Sequence, residues 1–218
     1  MLSIKEHFDY DSSLLKVIVR KNSVTLKEIL ESILIDEKTT YKFNEKINFS
    51  FIWNKENWGE LSDLVSEIVE KNIDENGNYY AAKDLLEKLV TLDDKNSEND
   101  RENLYKWIES KIIEWSKNEE LIISLYECLT RFDNEKQIEW IVKLIQIRVD
   151  FVFFKRIPLL PLSYSWRGSE IPILREHQSL YQQLSDKLQE IQVLEHKKWL
   201  QEKIEYLEKK LKELRLRN

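Results

Sequence analysis

Glycine and proline are scarce in this sequence, with three of each among 218 residues. Sandwiches and barrels draw on Gly, Asn and Pro at many tight turns, and phosphate-cradling loops draw on clustered Gly. Gly59, Gly77 and Gly168 are far apart, so neither kind of structure is expected. Cysteine is rarer still. Cys128 stands alone, which excludes an intramolecular disulfide and fits a reducing cytoplasm. Long apolar runs are missing too, and none approaches the roughly 20 residues that a membrane span requires. At the N-terminus Glu6, Asp9 and Asp11 interrupt the apolar stretch that a signal peptide would need. These absences predict a cytoplasmic protein without a membrane segment.

Aromatic residues and charge are plentiful. Seven Trp, nine Tyr and eight Phe supply a core that a disordered chain of 34% charged residues would not have. The net charge is −6, whereas a general nucleic-acid binder would more often be basic. The charge is uneven, however. Residues 193–218 hold eight Lys/Arg against five Asp/Glu, so this tail is +3 and the rest of the chain −9.

Helical periodicity organises most of the chain. Leu14–Arg20 is short and β-branched and fits either a strand or a buried helical turn. Thr25 and Glu28 have capping-box spacing ahead of the stripe Leu26, Ile29, Leu30, Ile33 and Leu34. Residues 36–57 read as an extended, aromatic-pinned connector. From Gly59 the pattern becomes regular. Leu61, Leu64, Val65, Ile68 and Val69 form one stripe, and Ala82, Leu85, Leu86 and Leu89 form the next. After a polar loop at Asp93–Asp100, three further segments are predicted at Asn103–Lys117, Glu119–Phe132 and Asn134–Arg148. Segments of about 12–16 residues with short polar links predict an all-α protein of antiparallel helix pairs, a HEAT/TPR-like stack. No residue signature recurs at a fixed period.

Pro158, Pro161 and Pro172 fall together and interrupt the helical run. The domain reading is therefore an N-terminal segment 1–57, mixed or helical, then a helical-pair domain 58–157, a Pro-containing linker 158–172 and a C-terminal element 173–218. In that last element Leu180, Leu184, Leu188 and Ile191 line one face. Leu200, Ile204, Leu207, Leu211 and Leu214 follow with 4-3-4-3 spacing. One helix of about forty residues or a hairpin broken near Gln192 fits this pattern. The coiled-coil-like hairpin is preferred, because a lone helix would leave its stripe exposed.

No chemistry announces itself. His7, His177 and His196 are scattered, and Glu195–His196 are adjacent helix positions that diverge, so no metal and no other cofactor is expected. Cys128 between Leu125 and Leu129 reads as a small buried hydrophobe. Trp107, Trp115 and Trp140 fall on helix faces and read as core. No catalytic residue is singled out, and the expectation is a protein that is not an enzyme.

Residues 153–172 stand apart. Gly168 permits a positive φ, Ser169 can cap the next helix, Pro172 suits a first helical turn, and Trp166 can anchor the loop. That structural reading needs no function. The run Ser165-Trp166-Arg167-Gly168-Ser169-Glu170-Ile171-Pro172, followed by Leu194-Glu195-His196-Lys197-Lys198 and Ile204-Glu205, resembles the extreme C-terminus of large prokaryotic NTPase-type proteins. Those proteins are STAND-like, with helical-repeat C-terminal regions, and several are implicated in anti-phage defence. The resemblance covers about residues 150–210. The NTPase and effector domains that such proteins carry upstream are missing from this sequence. The resemblance thus implies a detached recognition module, one subunit of a split system or a remnant, in which the helical region recognises a trigger protein.

The leading functional expectation is a non-catalytic helical protein-binding module, a component of a bacterial anti-phage defence system. Its partner would be another protein, such as an NTPase subunit or a phage protein. Trp53, Trp58, Trp166 and Arg167 are the candidate contacts, since Trp and Arg concentrate binding energy at interfaces. A second reading is nucleic-acid association through Lys197, Lys198, Lys203, Lys209, Lys210, Lys212, Arg215 and Arg217. A third is a homo-oligomer built through the C-terminal seam.

Overall fold

In a computed structural model of the chain, the described residues are 49–74, 79–92, 96–160, 169–188 and 193–217. The Leu14–Arg20 reading, the Thr25–Glu28 helix start, Trp166 and Arg167 all lie outside them. Among the described residues there are eight α-helices and no strand. The protein is all-α. The helices are α1 (Trp58–Asp74), α2 (Tyr79–Val90), α3 (Glu98–Glu114), α4 (Glu119–Leu129), α5 (Asn134–Ile147), α6 (Phe151–Phe154), α7 (Ile171–Lys187) and α8 (Leu194–Arg217). Short 3-10 turns occupy Ser50–Asn54 and Trp115–Lys117. The chain divides into two compact units, Met1–Ser110 and Lys111–Asn218, and the division falls inside α3. The Pro-containing stretch read as a linker therefore lies within the second unit.

In the first unit α1 and α2 pack on each other through the stripes read from the sequence. Leu61, Val65, Ile68 and Val69 meet Ala82, Leu85, Leu86 and Leu89, and all eight are buried. Each large aliphatic side chain so placed contributes about 1.5–3 kcal/mol of transfer free energy. Ser62 and Ser66 also lie on the buried side of α1. Their hydroxyls donate to the carbonyls of Gly59 and Asp63 at 3.0 and 2.9 Å, so no polar group is left unmatched there.

Two local readings are corrected here. The stretch before α1 is not an extended connector over its described part. It is a 3-10 turn that buries Phe49, Ile52 and Trp53. Likewise α3 begins at Glu98, five residues ahead of the expected Asn103. The Ser97 hydroxyl accepts from the Asp100 amide at 3.3 Å, and the Asp100 carboxylate accepts from the Ser97 amide at 2.9 Å. This reciprocal cap starts the helix inside a polar run that has no apolar stripe to betray it.

The second unit is built on α4, α5, α7 and α8. Asn118, Asp133 and Asp150 cap α4, α5 and α6 through their side-chain oxygens. Tyr126 donates its hydroxyl to the Trp140 carbonyl at 2.6 Å, and burial pushes the phenol pKa well up, so it stays a donor. Trp115 and Trp140 are buried here, and Trp107 is buried in the first unit, as the sequence predicts. Two helices, α7 and α8, pack against each other as a hairpin, and α7 also packs on α5. Leu180, Leu184 and Leu188 are buried from α7 and its C-cap, with Leu200, Ile204, Leu207 and Leu211 from α8. The 4-3-4-3 seam is thus occupied within a single chain.

Candidate functional site

Of the four residues singled out as protein contacts, Trp53 and Trp58 lie against each other, while Trp166 and Arg167 fall outside the described residues. Trp53 is wholly buried, which corrects its reading as a protein-contact residue. Its indole nitrogen donates to the Leu89 carbonyl at 3.0 Å, and its ring centroid lies 6.0 Å from that of Trp58 and 5.8 Å from that of Trp107. The Asn103 amide donates to the Trp53 carbonyl at 2.9 Å. The indole closes the end of α2, where a carbonyl has no helical partner, and that use outcompetes exposure. Trp58 is half-buried against Trp53.

The basic tail is helical but mixed. Lys198, Lys203, Lys209, Lys212 and Arg215 are exposed, and Lys197 is half-buried. Glu195, Glu202, Glu205, Glu208 and Glu213 are exposed among them. Lys210 pairs with Glu170, and the Lys203 ammonium lies 5.2 Å from the Trp199 ring centroid. The side chain of Arg217 lies outside the description. Acids every few residues break the stripe of cations that phosphate tracking would use.

Two features of the second unit were not found from the sequence. One is the edge where α5 passes into α6. Arg148 is extended there, and its guanidinium turns inward over Phe153, 3.6 Å from the ring centroid. It also bonds Glu119 at 2.7 Å, Asp150 at 3.3 Å and the Ser116 carbonyl at 3.3 Å. Arg156 bonds the same Glu119. The Asp150 carboxyl is held below its usual range, chiefly by the Phe153 amide, with Arg148 and the Val152 amide adding to the effect. This lattice of charge-assisted bonds fixes the edge while leaving Ile147, Val149 and Val152 at 43%, 56% and 68% exposure.

Behind the edge sits His196, 2% exposed, with its ring 5.3 Å from Phe151 and 4.7 Å from Phe154. Its Nε2 finds no hydrogen-bond partner among the described residues. The 196-200-204 spacing continues the α8 seam backwards, so the signal was present, though a histidine is not counted in an apolar stripe. Burial lowers its pKa from 6.5, against the opposing charges of Glu195 and Asp150. A proton is then bound more readily by the unfolded chain. The stabilisation is complete above about pH 6.5 and is lost as pH falls from there through the lowered folded value. The thermal midpoint should therefore drop between pH 7.5 and 5, and His196→Phe should flatten that slope. An unchanged slope in the variant would assign the effect to another group.

The other feature is a cleft between α7 and α8 of about 300 Å³. Leu160, Ile173, Leu174, Leu207 and Tyr181 form its walls, while Glu170, His177, Lys203, Tyr206 and Lys210 stand at its polar positions. Leu160 and His177 are shared with a smaller, more polar cavity of about 150 Å³, lined also by Thr130, Arg131 and Gln137. Among the described residues no three His, Cys, Asp or Glu side chains gather as a metal site, and no helix is long and apolar enough to cross a membrane. No family model, curated protein or solved structure matches the chain.

Proposed function

We propose that this chain is a non-catalytic helical protein-binding module and a component of a bacterial anti-phage defence system. The observation that carries the binding reading is the α5–α6 edge. Three aliphatic side chains are exposed there on a segment held rigid by Arg148, Asp150, Glu119 and Arg156. Ordered apolar patches left in water are characteristic of surfaces that meet a partner, and a preformed patch loses little entropy on docking. The packed pairs α1–α2 and α7–α8 support reading the helices as a HEAT/TPR-like scaffold. The defence assignment rests on the likeness of residues 165–172 and 194–205 to the C-terminal regions described above. In this reading the partner is an NTPase subunit or a phage protein.

Tagged wild-type chain and the double variant Val149→Asp/Val152→Asp are to be compared by affinity capture from infected and uninfected host cells, with the captured partner then titrated in purified form. The variant should keep its helical content and its thermal midpoint within a few degrees, since both positions are exposed. The expected result is one stoichiometric partner on the wild type, bound at least about tenfold more weakly by the variant. Identical capture by both proteins would remove the edge from the interface. A partner bound with hydrolytic turnover on this chain would overturn the non-catalytic reading.

A further inference from the structure

The cleft of the α7–α8 hairpin is separate from the proposed docking edge and has a different chemistry. Its walls are aliphatic, supplied by Leu160, Ile173, Leu174 and Leu207, with Tyr181 as an aromatic side. Two ammonium groups, Lys203 and Lys210, reach it, together with one carboxylate, Glu170. Glu170 and Lys210 are joined as an ion pair, so the excess charge at the cleft is the single cation of Lys203. We propose that this cleft binds a small organic monoanion with a flat apolar body, of the aromatic carboxylate or sulfonate class.

Charge and wall chemistry each exclude alternatives. About 300 Å³ lies at the lower end for ligand pockets and gives room for one or two fused rings. A dianion would meet only one uncommitted ammonium. A cationic ligand would meet repulsion from Lys203. A bare inorganic anion would give up its hydration against aliphatic walls that return no hydrogen bonds. Tyr181 and the half-open Tyr206 supply aromatic faces to a planar body, and Tyr206 is 62% exposed at the mouth. The Lys203 ammonium rests 5.2 Å from the Trp199 ring centroid, a contact it can exchange for a stronger one with an anionic oxygen. His177 stands between the two cavities. Burial, chiefly, and the charge of Lys210 lower its pKa from 6.5, against Glu176.

The test uses the full chain and naphthalene-2-sulfonate as the probe, with 2-naphthalenemethanol as the uncharged counterpart. Calorimetry gives stoichiometry and affinity, and methyl and amide NMR shifts locate the probe. The expected result is saturable one-to-one binding of the sulfonate with shifts at Ile173, Leu174 and Leu207. The uncharged probe should bind roughly tenfold more weakly, and Lys203→Gln should weaken the sulfonate by a similar factor. Lys203 is exposed, so this variant retains its fold, which its thermal midpoint verifies. Ile173→Trp, which fills the cleft, should abolish binding. Equal affinity for the two probes would overturn the proposal. So would an unchanged affinity in Lys203→Gln, or no saturation up to millimolar probe.

Discussion

Leu200→Asp is expected to destabilise the second unit by on the order of 4 kcal/mol or more, and not merely to separate copies of the chain. Leu200 has no exposed surface and lies on the buried stripe of α8 between His196 and Ile204. A carboxylate there has no water, and the one titratable neighbour on the stripe, His196, is buried and disfavoured in its charged form. The unit has about a hundred residues and so a total stability on the order of 5–15 kcal/mol. Burying an unpaired charge in place of a well-packed Leu removes on the order of 4 kcal/mol or more of that. Leu207→Asp is a poorer test, because Leu207 lines the cleft and a carboxylate there can reach solvent. Urea denaturation followed by circular dichroism, together with light scattering, distinguishes the outcomes. Early loss of helix in a monomeric protein supports the intrachain seam. A helical monomer formed from a wild-type dimer would show that the seam joins two chains.

The second large effect concerns Trp53. Trp53→Ala should destabilise the first unit by about 3–5 kcal/mol, the cost of deleting a large buried aromatic and leaving a cavity. The Trp53 indole also supplies the hydrogen bond to the Leu89 carbonyl at the end of α2. Trp53→Phe narrows the comparison, because it removes the donor and leaves a smaller cavity while keeping a six-membered aromatic ring. It should cost about 1–3 kcal/mol. Hydrogen exchange read peptide by peptide should show the loss in α1 and α2, which carry the core beneath the ring. Equal protection in wild type and Trp53→Ala would mean that the ring contributes little to that core.

Much of the fold was legible because helix periodicity is a local signal. The stripe from Leu61 to Val69 became α1, and the predicted Asn134–Arg148 segment corresponds to α5 at Asn134–Ile147. The early start of α3 was missed because its first turn, Glu98 to Arg101, is polar throughout. Its cap depends on Ser97 and Asp100, two residues that look like loop. Trp53 was misread because an aromatic in a polar run looks the same whether it lies in solvent or bends back into the core. Only its distance to Leu89, 36 positions along the chain, settles the matter.

The sequence by itself determined that the chain is helical, where most helices run and which faces seek a neighbour. Stripe spacing and the scarcity of Gly and Pro act within one or two turns of chain, and neither needs a partner to be read. The tertiary structure decided which stripe meets which, that the α8 seam is filled by α7, and that Ile147, Val149 and Val152 stay outside. It also formed the cleft, which joins Leu160 and Ile173 to Lys203 and Leu207. The two pairs lie 30 or more positions apart and converge only because α8 packs back onto α7. No local pattern records that convergence, since the free energy that produces it comes from burying two stripes at once.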